Sequence, residues 1–118
     1  MMSDEKKIYV AGPMRGYEHF NFPAFDSATD RLRGLGYLVI SPAEMDRSYE
    51  GWWPFPPEDV VFERHDYIRF MTRDLAALSV CDAIYLLPGW EKSKGARVEK
   101  AYAEFLNLEI IYQETTHD

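Results

Sequence analysis

Four short apolar runs alternate with segments whose apolar residues recur every three to four positions, and that alternation constrains the fold more than any other feature of the chain. Ile8-Tyr9-Val10-Ala11, Tyr37-Leu38-Val39-Ile40, Ala83-Ile84-Tyr85-Leu86-Leu87 and Glu109-Ile110-Ile111-Tyr112 are short enough for strands. Their near-continuous apolar character is that of strands covered on both faces. Phe25, Ala28, Leu32 and Leu35 mark a helix over about 22–35, stopped by Gly34 and Gly36. Ile68, Met71, Leu75 and Leu78 mark a second helix within 58–80, with a break near His65-Asp66. Val98, Ala101, Tyr102 and Phe105 are expected to face inward on a third, over about 95–106. The order βαβαβαβ predicts an α/β fold: a doubly wound parallel sheet of four to five strands, Rossmann- or flavodoxin-like, in one domain over residues 1–118.

In such sheets ligands sit beyond the carboxyl ends of the strands, at the point where the strand order reverses. That rule selects two loops. Gly12-Pro13-Met14-Arg15-Gly16 follows the first strand. Its glycines let backbone approach a ligand, and Arg15 offers a fork of donors to phosphate or carboxylate. It is neither a Walker loop nor GxGxxG, and a plain turn with a solvated Arg fits it as well. The other loop, Pro88-Gly89-Trp90-Glu91-Lys92-Ser93-Lys94-Gly95, opens the third helix, where Ser93 and Gly95 can meet an anion. Glu99 follows one turn inside that helix. The plainer alternative makes Ser93 an N-cap and Glu99 a solvated helix acid.

Asp74 and Asp82 are further acids on neighbouring elements. Carboxylates brought together in a buried site divide nucleophile and acid roles, because repulsion separates their pKa values. Asp82, at the start of a strand, fits a backbone-bonding role better. Residues 48–57 pack three prolines among four aromatics, Trp52 and Trp53 included, and predict an irregular loop. Such a loop either covers a ligand or tucks its rings onto the core or a neighbouring subunit, and both readings stay open. His19, His65, His117 and Cys81 have no metal-site spacing, so no metal or other cofactor is expected.

The net charge of −7 argues against binding a nucleic acid polymer through its backbone, though one phosphate needs only an Arg and a few N–H groups. A lone cysteine, no apolar run of membrane-spanning length and no signal core predict a cytoplasmic protein without a membrane partner. The 15% aromatic content and an apolar long helix predict a homo-oligomer, a dimer or larger. The segment 115–118 reads as a frayed tail.

Tyr9-Val10-Ala11-Gly12-Pro13-Met14-Arg15-Gly16, then Asp74-Leu75 ahead of Cys81-Asp82-Ala83, then Ser93-Lys94-Gly95-Ala96-Arg97-Val98-Glu99, together resemble the nucleoside 2-deoxyribosyltransferase superfamily. The resemblance covers most of the chain in the family's order. The Arg15-Gly16 pair is similar to that of the 2'-deoxynucleoside 5'-monophosphate N-glycosidases, and Pro88-Gly89-Trp90 to a short bacterial and phage branch.

The resemblance implies an enzyme that cleaves the N-glycosidic bond of a nucleoside 5'-monophosphate, with the 2'-deoxy form favoured. It makes Glu99 the nucleophile and has Asp74 position it or relay a proton to the base. Gly12, Met14, Arg15, Gly16, Ser93 and Gly95 would hold phosphate and sugar, and Tyr9, Trp90, Trp52 or Trp53 would stack on the base. It also implies a site completed by a neighbouring subunit. Base exchange between nucleosides, or a silent nucleotide-binding sensor, are the alternatives.

Overall fold

The computed structural model describes residues 5–114. Its elements are β1 (Lys7–Ala11), α1 (Phe22–Gly34), β2 (Leu38–Ile40), α2 (Pro42–Glu50), α3 (Arg64–Leu78), β3 (Ala83–Leu86), α4 (Lys94–Phe105) and β4 (Glu109–Tyr112). Short 3-10 turns at Glu18–Asn21 and Trp90–Lys92 lead into α1 and α4. The expected tail at 115–118 lies outside the described residues.

The four strands form one sheet in the order β2-β1-β3-β4, and every pair is parallel. This is the doubly wound α/β arrangement expected from the alternation. Alternate side chains leave a strand on opposite faces. Ile8 and Val10 of β1 join Phe22, Phe25 and Leu32 of α1 in one core layer, while Tyr9 and Ala11 join Leu78 and Ala103 on the other side. The chain winds from β1 outward to β2, then returns to place β3 against the other edge of β1. The strand order therefore reverses between β1 and β3, and the loops after these two strands open side by side at the carboxyl edge.

Three expectations are corrected. Residues 42–50 form a helix, α2, where the sequence reading saw none. Ser41 caps it by accepting from Ala43 N at 3.2 Å, Pro42 occupies its first turn, and Gly51 ends it at φ +73°. The break near His65-Asp66 is instead the start of α3. There Asp66 accepts from Glu63 N at 2.9 Å in a reciprocal capping box.

The third concerns α4, which turns Ala96, Glu99 and Ala103 to the sheet rather than Val98, Ala101 and Phe105. Val98 is 47% and Phe105 79% exposed, and only Tyr102 of the expected set packs against the core. Small residues let the helix approach the sheet closely, and that closeness carries Glu99 inside.

Of the aromatic loop, Trp52 and Phe55 pack against the α1-side core, and Trp52 meets Phe20, Phe62 and Phe70 edge-on or tilted at 5.9–6.3 Å. Trp53 stays outside, with the Arg47 guanidinium 5.0 Å from its ring. Among the described residues no helix is long and apolar enough to cross a membrane.

Candidate active site

Tyr9 sits in the middle of the central strand β1 and is wholly buried. Its hydroxyl donates to Glu99 Oε2 at 2.8 Å. Glu99 lies in the first half of α4, on the same face as Ala96 and Ala103, and it is 6% exposed. A fully enclosed ring offers no face to a base, so the stacking role expected for Tyr9 gives way to holding Glu99.

Asp74 is buried on α3, within hydrogen-bonding reach of Glu99 and Tyr9. Arg73 donates to its Oδ1 from Nε at 3.0 Å and from Nη2 at 2.8 Å. The same Nη2 lies 2.7 Å from Oδ1 of Asp46, a buried residue on α2. The angle there falls short of a hydrogen bond, so this contact is an ion pair by charge and distance. Three carboxyl groups and one guanidinium, drawn from α2, α3 and α4, thus share one interior region against β1.

Desolvation dominates the electrostatics. Burial drives Glu99 well above the usual carboxylate range, and the neighbouring Asp74 adds to the rise. The hydrogen bond from Tyr9 opposes it. Asp74 is also raised by burial, with the Arg73 charge and hydrogen bonds pulling it back. Asp46 is pushed up to about 6 by burial, again against the pull of Arg73. Two acids in contact cannot both ionise cheaply, so the Asp74–Glu99 pair holds one proton to a higher pH than either acid would alone.

The two loops at the carboxyl edge pack tightly. A Cβ on Gly12 would lie 2.7 Å from Leu87 Cβ, and one on Gly89, at φ +89°, would lie 2.6 Å from the Tyr17 hydroxyl. Only glycine allows either approach. Arg15 and Gly16 are exposed beyond this contact, and the Arg15 guanidinium lies 5.0 Å from the ring centre of Tyr67 on α3. Met14 is half-buried against the α1-side core.

Ser93 caps α4, its Oγ accepting from Ala96 N at 3.1 Å, and Gly95 faces Met71 Cε across ordinary contact distance. Trp90 packs on the α3–α4 core, with Tyr112 at 5.9 Å and Lys100 Nζ 5.2 Å from its ring. Asp82 accepts from Lys7 N at 2.8 Å, the backbone role expected for it.

The structure thus brings Tyr9, Asp74 and Glu99 into one cluster, and sets Arg15, Gly16 and Ser93 on the loops at the same edge of the sheet. Arg73 and Asp46 were missed by sequence reasoning. A helical reading of 42–50 would have placed Asp46 on the face of Pro42 and Ala43, and an acid on a buried face is a signal. Among the described residues no group of three or more His, Cys, Asp or Glu side chains is arranged to hold a metal ion.

Residues 6–112 match the family model described as "Domain of unknown function (DUF4406)". A search of the curated proteins gives no match. Among solved structures, a 2-deoxyribosyltransferase from Bacillus psychrosaccharolyticus superposes with a TM-score of 0.61 at 21% identity, covering 94% of this chain and 77% of that one. A 2-deoxyribosyltransferase from Leishmania mexicana superposes with a TM-score of 0.62 at 16% identity, covering 94% of this chain and 65% of that one. At these identities the likeness establishes the fold.

Proposed function

The chain belongs to the DUF4406 family, and we propose that it is an enzyme that hydrolyses the N-glycosidic bond of a 2'-deoxynucleoside 5'-monophosphate, with Glu99 as nucleophile. The observation that carries this reading is the buried Glu99 carboxyl, held by Tyr9 and touching a second acid at the switch point of the sheet. A solvated helix acid has none of these features. Departure of a base from a deoxyribose leaves an oxocarbenium-like sugar, which a neighbouring carboxylate stabilises and captures as an ester.

One proton on two acids suits both halves of that step. When the shared proton passes from Glu99 to Asp74, Glu99 is free to attack the anomeric carbon while Asp74 protonates the departing base. Water then opens the ester, returning the sugar phosphate and the proton. Arg15 and the amides of the first loop are the proposed phosphate anchors. The Ser93 hydroxyl, already accepting from Ala96 N, retains its own proton to donate. Binding far from the reacting bond then contributes to the rate.

A second reading is base exchange, in which a free base replaces water. It is favoured by the two solved neighbours, both named as deoxyribosyltransferases. Incubation with a panel of nucleosides and nucleotides, followed by liquid chromatography, separates the readings. Free base from a monophosphate supports hydrolysis, and exchange only when a second base is supplied supports transfer. Binding without any base release replaces both with a sensor.

The exposed Val98 and Phe105 of α4 and Ile68 of α3 favour the further proposal of a homo-oligomer, which light scattering checks. A cytoplasmic setting, with its reducing conditions, suits the free thiol of Cys81.

A further inference from the structure

The proposed chemistry uses Glu99, Asp74 and Tyr9, and leaves a third buried acid without a task. Asp46 is 5% exposed. Burying a carboxylate is costly, and a well-packed apolar side chain would serve a structural role on α2 at least as well. Its geometry is specific. Arg73 sends both Nε and Nη2 to Asp74 Oδ1, and that same Nη2 faces Asp46 Oδ1 at 2.7 Å. One guanidinium is therefore divided between two carboxyl groups, and only one of them touches Glu99.

We propose that Asp46 is a positioning residue that tunes the Asp74–Glu99 pair through Arg73, by drawing part of the guanidinium charge away from Asp74 so that the pair keeps its shared proton. This rests on the catalytic reading of that pair. An Arg73 devoted wholly to Asp74 would favour the doubly ionised pair and strip the proton meant for the departing base. With Asp46 ionised, the four-group cluster carries two positive charges, Arg73 and the shared proton, against three carboxylates.

The groups that face Asp46 are Arg73 and Asp74 from α3 and Glu50 from α2, with Glu50 itself paired to Arg69. Tyr9 of β1 and Glu99 of α4 complete the surroundings of Asp74. Burial pushes Asp46 to about 6, so it carries its charge above that pH and loses it below.

The test is a titration of the side-chain carboxyls by 13C NMR on the full chain, with Asp74→Asn and Glu99→Gln assigning the pair. Asp46→Asn keeps an acceptor toward Arg73 and removes the charge. It is expected to lower the pH at which the pair gives up its proton by on the order of one unit. Asp46→Glu should restore the wild-type titration. Arg73→Gln should move the pair the opposite way, and Asp46→Ser carries the test if Asp46→Asn does not fold.

A pair that titrates identically in wild type and in the folded Asp46 variant overturns the proposal, whether or not the protein releases base. On a 2'-deoxynucleoside 5'-monophosphate, the alkaline limb of kcat should move down by the same amount in Asp46→Asn. A shifted titration with no base release from the wild type would instead count against the catalytic reading alone.

Discussion

The Tyr9 hydroxyl donates a 2.8 Å hydrogen bond to Glu99 Oε2, joining the central strand to α4 across a fully buried contact. The bond is made to an acid whose proton affinity burial raises well above the ordinary value, and it pulls that affinity part of the way back down. Tyr9 therefore works against desolvation, as the proposed role of Glu99 as nucleophile requires.

Tyr9→Phe removes that donor with little change in shape. Glu99 should rise further from the usual carboxylate range, so the acid limb of kcat should move to higher pH. Turnover near neutral pH should fall about tenfold or more, and stability by about 1–2 kcal/mol for the unpaired buried oxygen. A pH–rate profile of the variant, measured beside its urea unfolding curve, checks both. An unchanged acid limb would mean that the bond does not set the state of Glu99.

Glu99→Gln separates function from stability. The amide can still accept from Tyr9 and can donate to Asp74, so the fold should persist, while loss of the proposed nucleophile should cost several powers of ten in rate, about 4 kcal/mol or more. The folded pKa of Glu99 is raised above its ordinary 4.5. Its contribution to stability is thus fully present below that value and is lost as pH rises through the folded pKa. Gln has no such titration. The variant's thermal stability relative to wild type should therefore grow with pH, by at most about 1.4 kcal/mol per unit, above 4.5 where the unfolded chain has ionised and the folded group has not, and level off once the folded group ionises. Melting curves from pH 5 to 9 check the trend, and a variant that loses ground as pH rises would contradict it.

How much of this was legible in the sequence depends on which force placed each residue. The strands and their parallel order follow from apolar runs alternating with helical periods, because hydrophobic burial selects those periods directly. Glu99 was marked by its place behind Ser93 and Gly95. The orientation of α4 was not legible, since a rule that sends large apolar residues inward fails where a helix needs small ones to approach the sheet. Ala96 and Ala103 did that work, and Phe105 was left outside. Helix α2 carries a sound local signal in Ser41-Pro42, but the prolines and aromatics just beyond it are the pattern of irregular structure. With α2 unseen, Asp46 had no buried face to sit on, and Arg73 had only one visible partner.

The glycines of the two loops should differ sharply in tolerance. Gly12→Ala forces a Cβ to 2.7 Å from Leu87 Cβ, both on rigid backbone, and overpacking of this kind costs about 1–3 kcal/mol. Gly16 has open space around it and a φ of +84°. Gly16→Ala should therefore cost about 1 kcal/mol of backbone strain alone. Denaturant midpoints for the two variants test the order, and a Gly12→Ala protein as stable as wild type would mean that the strand ends are not packed as described.

Arg15 is exposed, and its guanidinium lies over the Tyr67 ring rather than in the buried cluster. A cation–π contact at an exposed site is worth about 0.5–1 kcal/mol, so Arg15→Ala should leave the melting temperature nearly unchanged. Its effect on catalysis should depend on the substrate. A guanidinium that meets the 5'-phosphate contributes a charge-assisted contact of about 1.5–3 kcal/mol, so kcat/KM for a nucleoside monophosphate should drop about 10- to 150-fold. The free nucleoside, with no phosphate to lose, should be processed at nearly the wild-type rate. A uniform loss on both substrates would place Arg15 in the support of the loop rather than on the phosphate. An unchanged rate on both would remove it from the site and favour base exchange between unphosphorylated nucleosides.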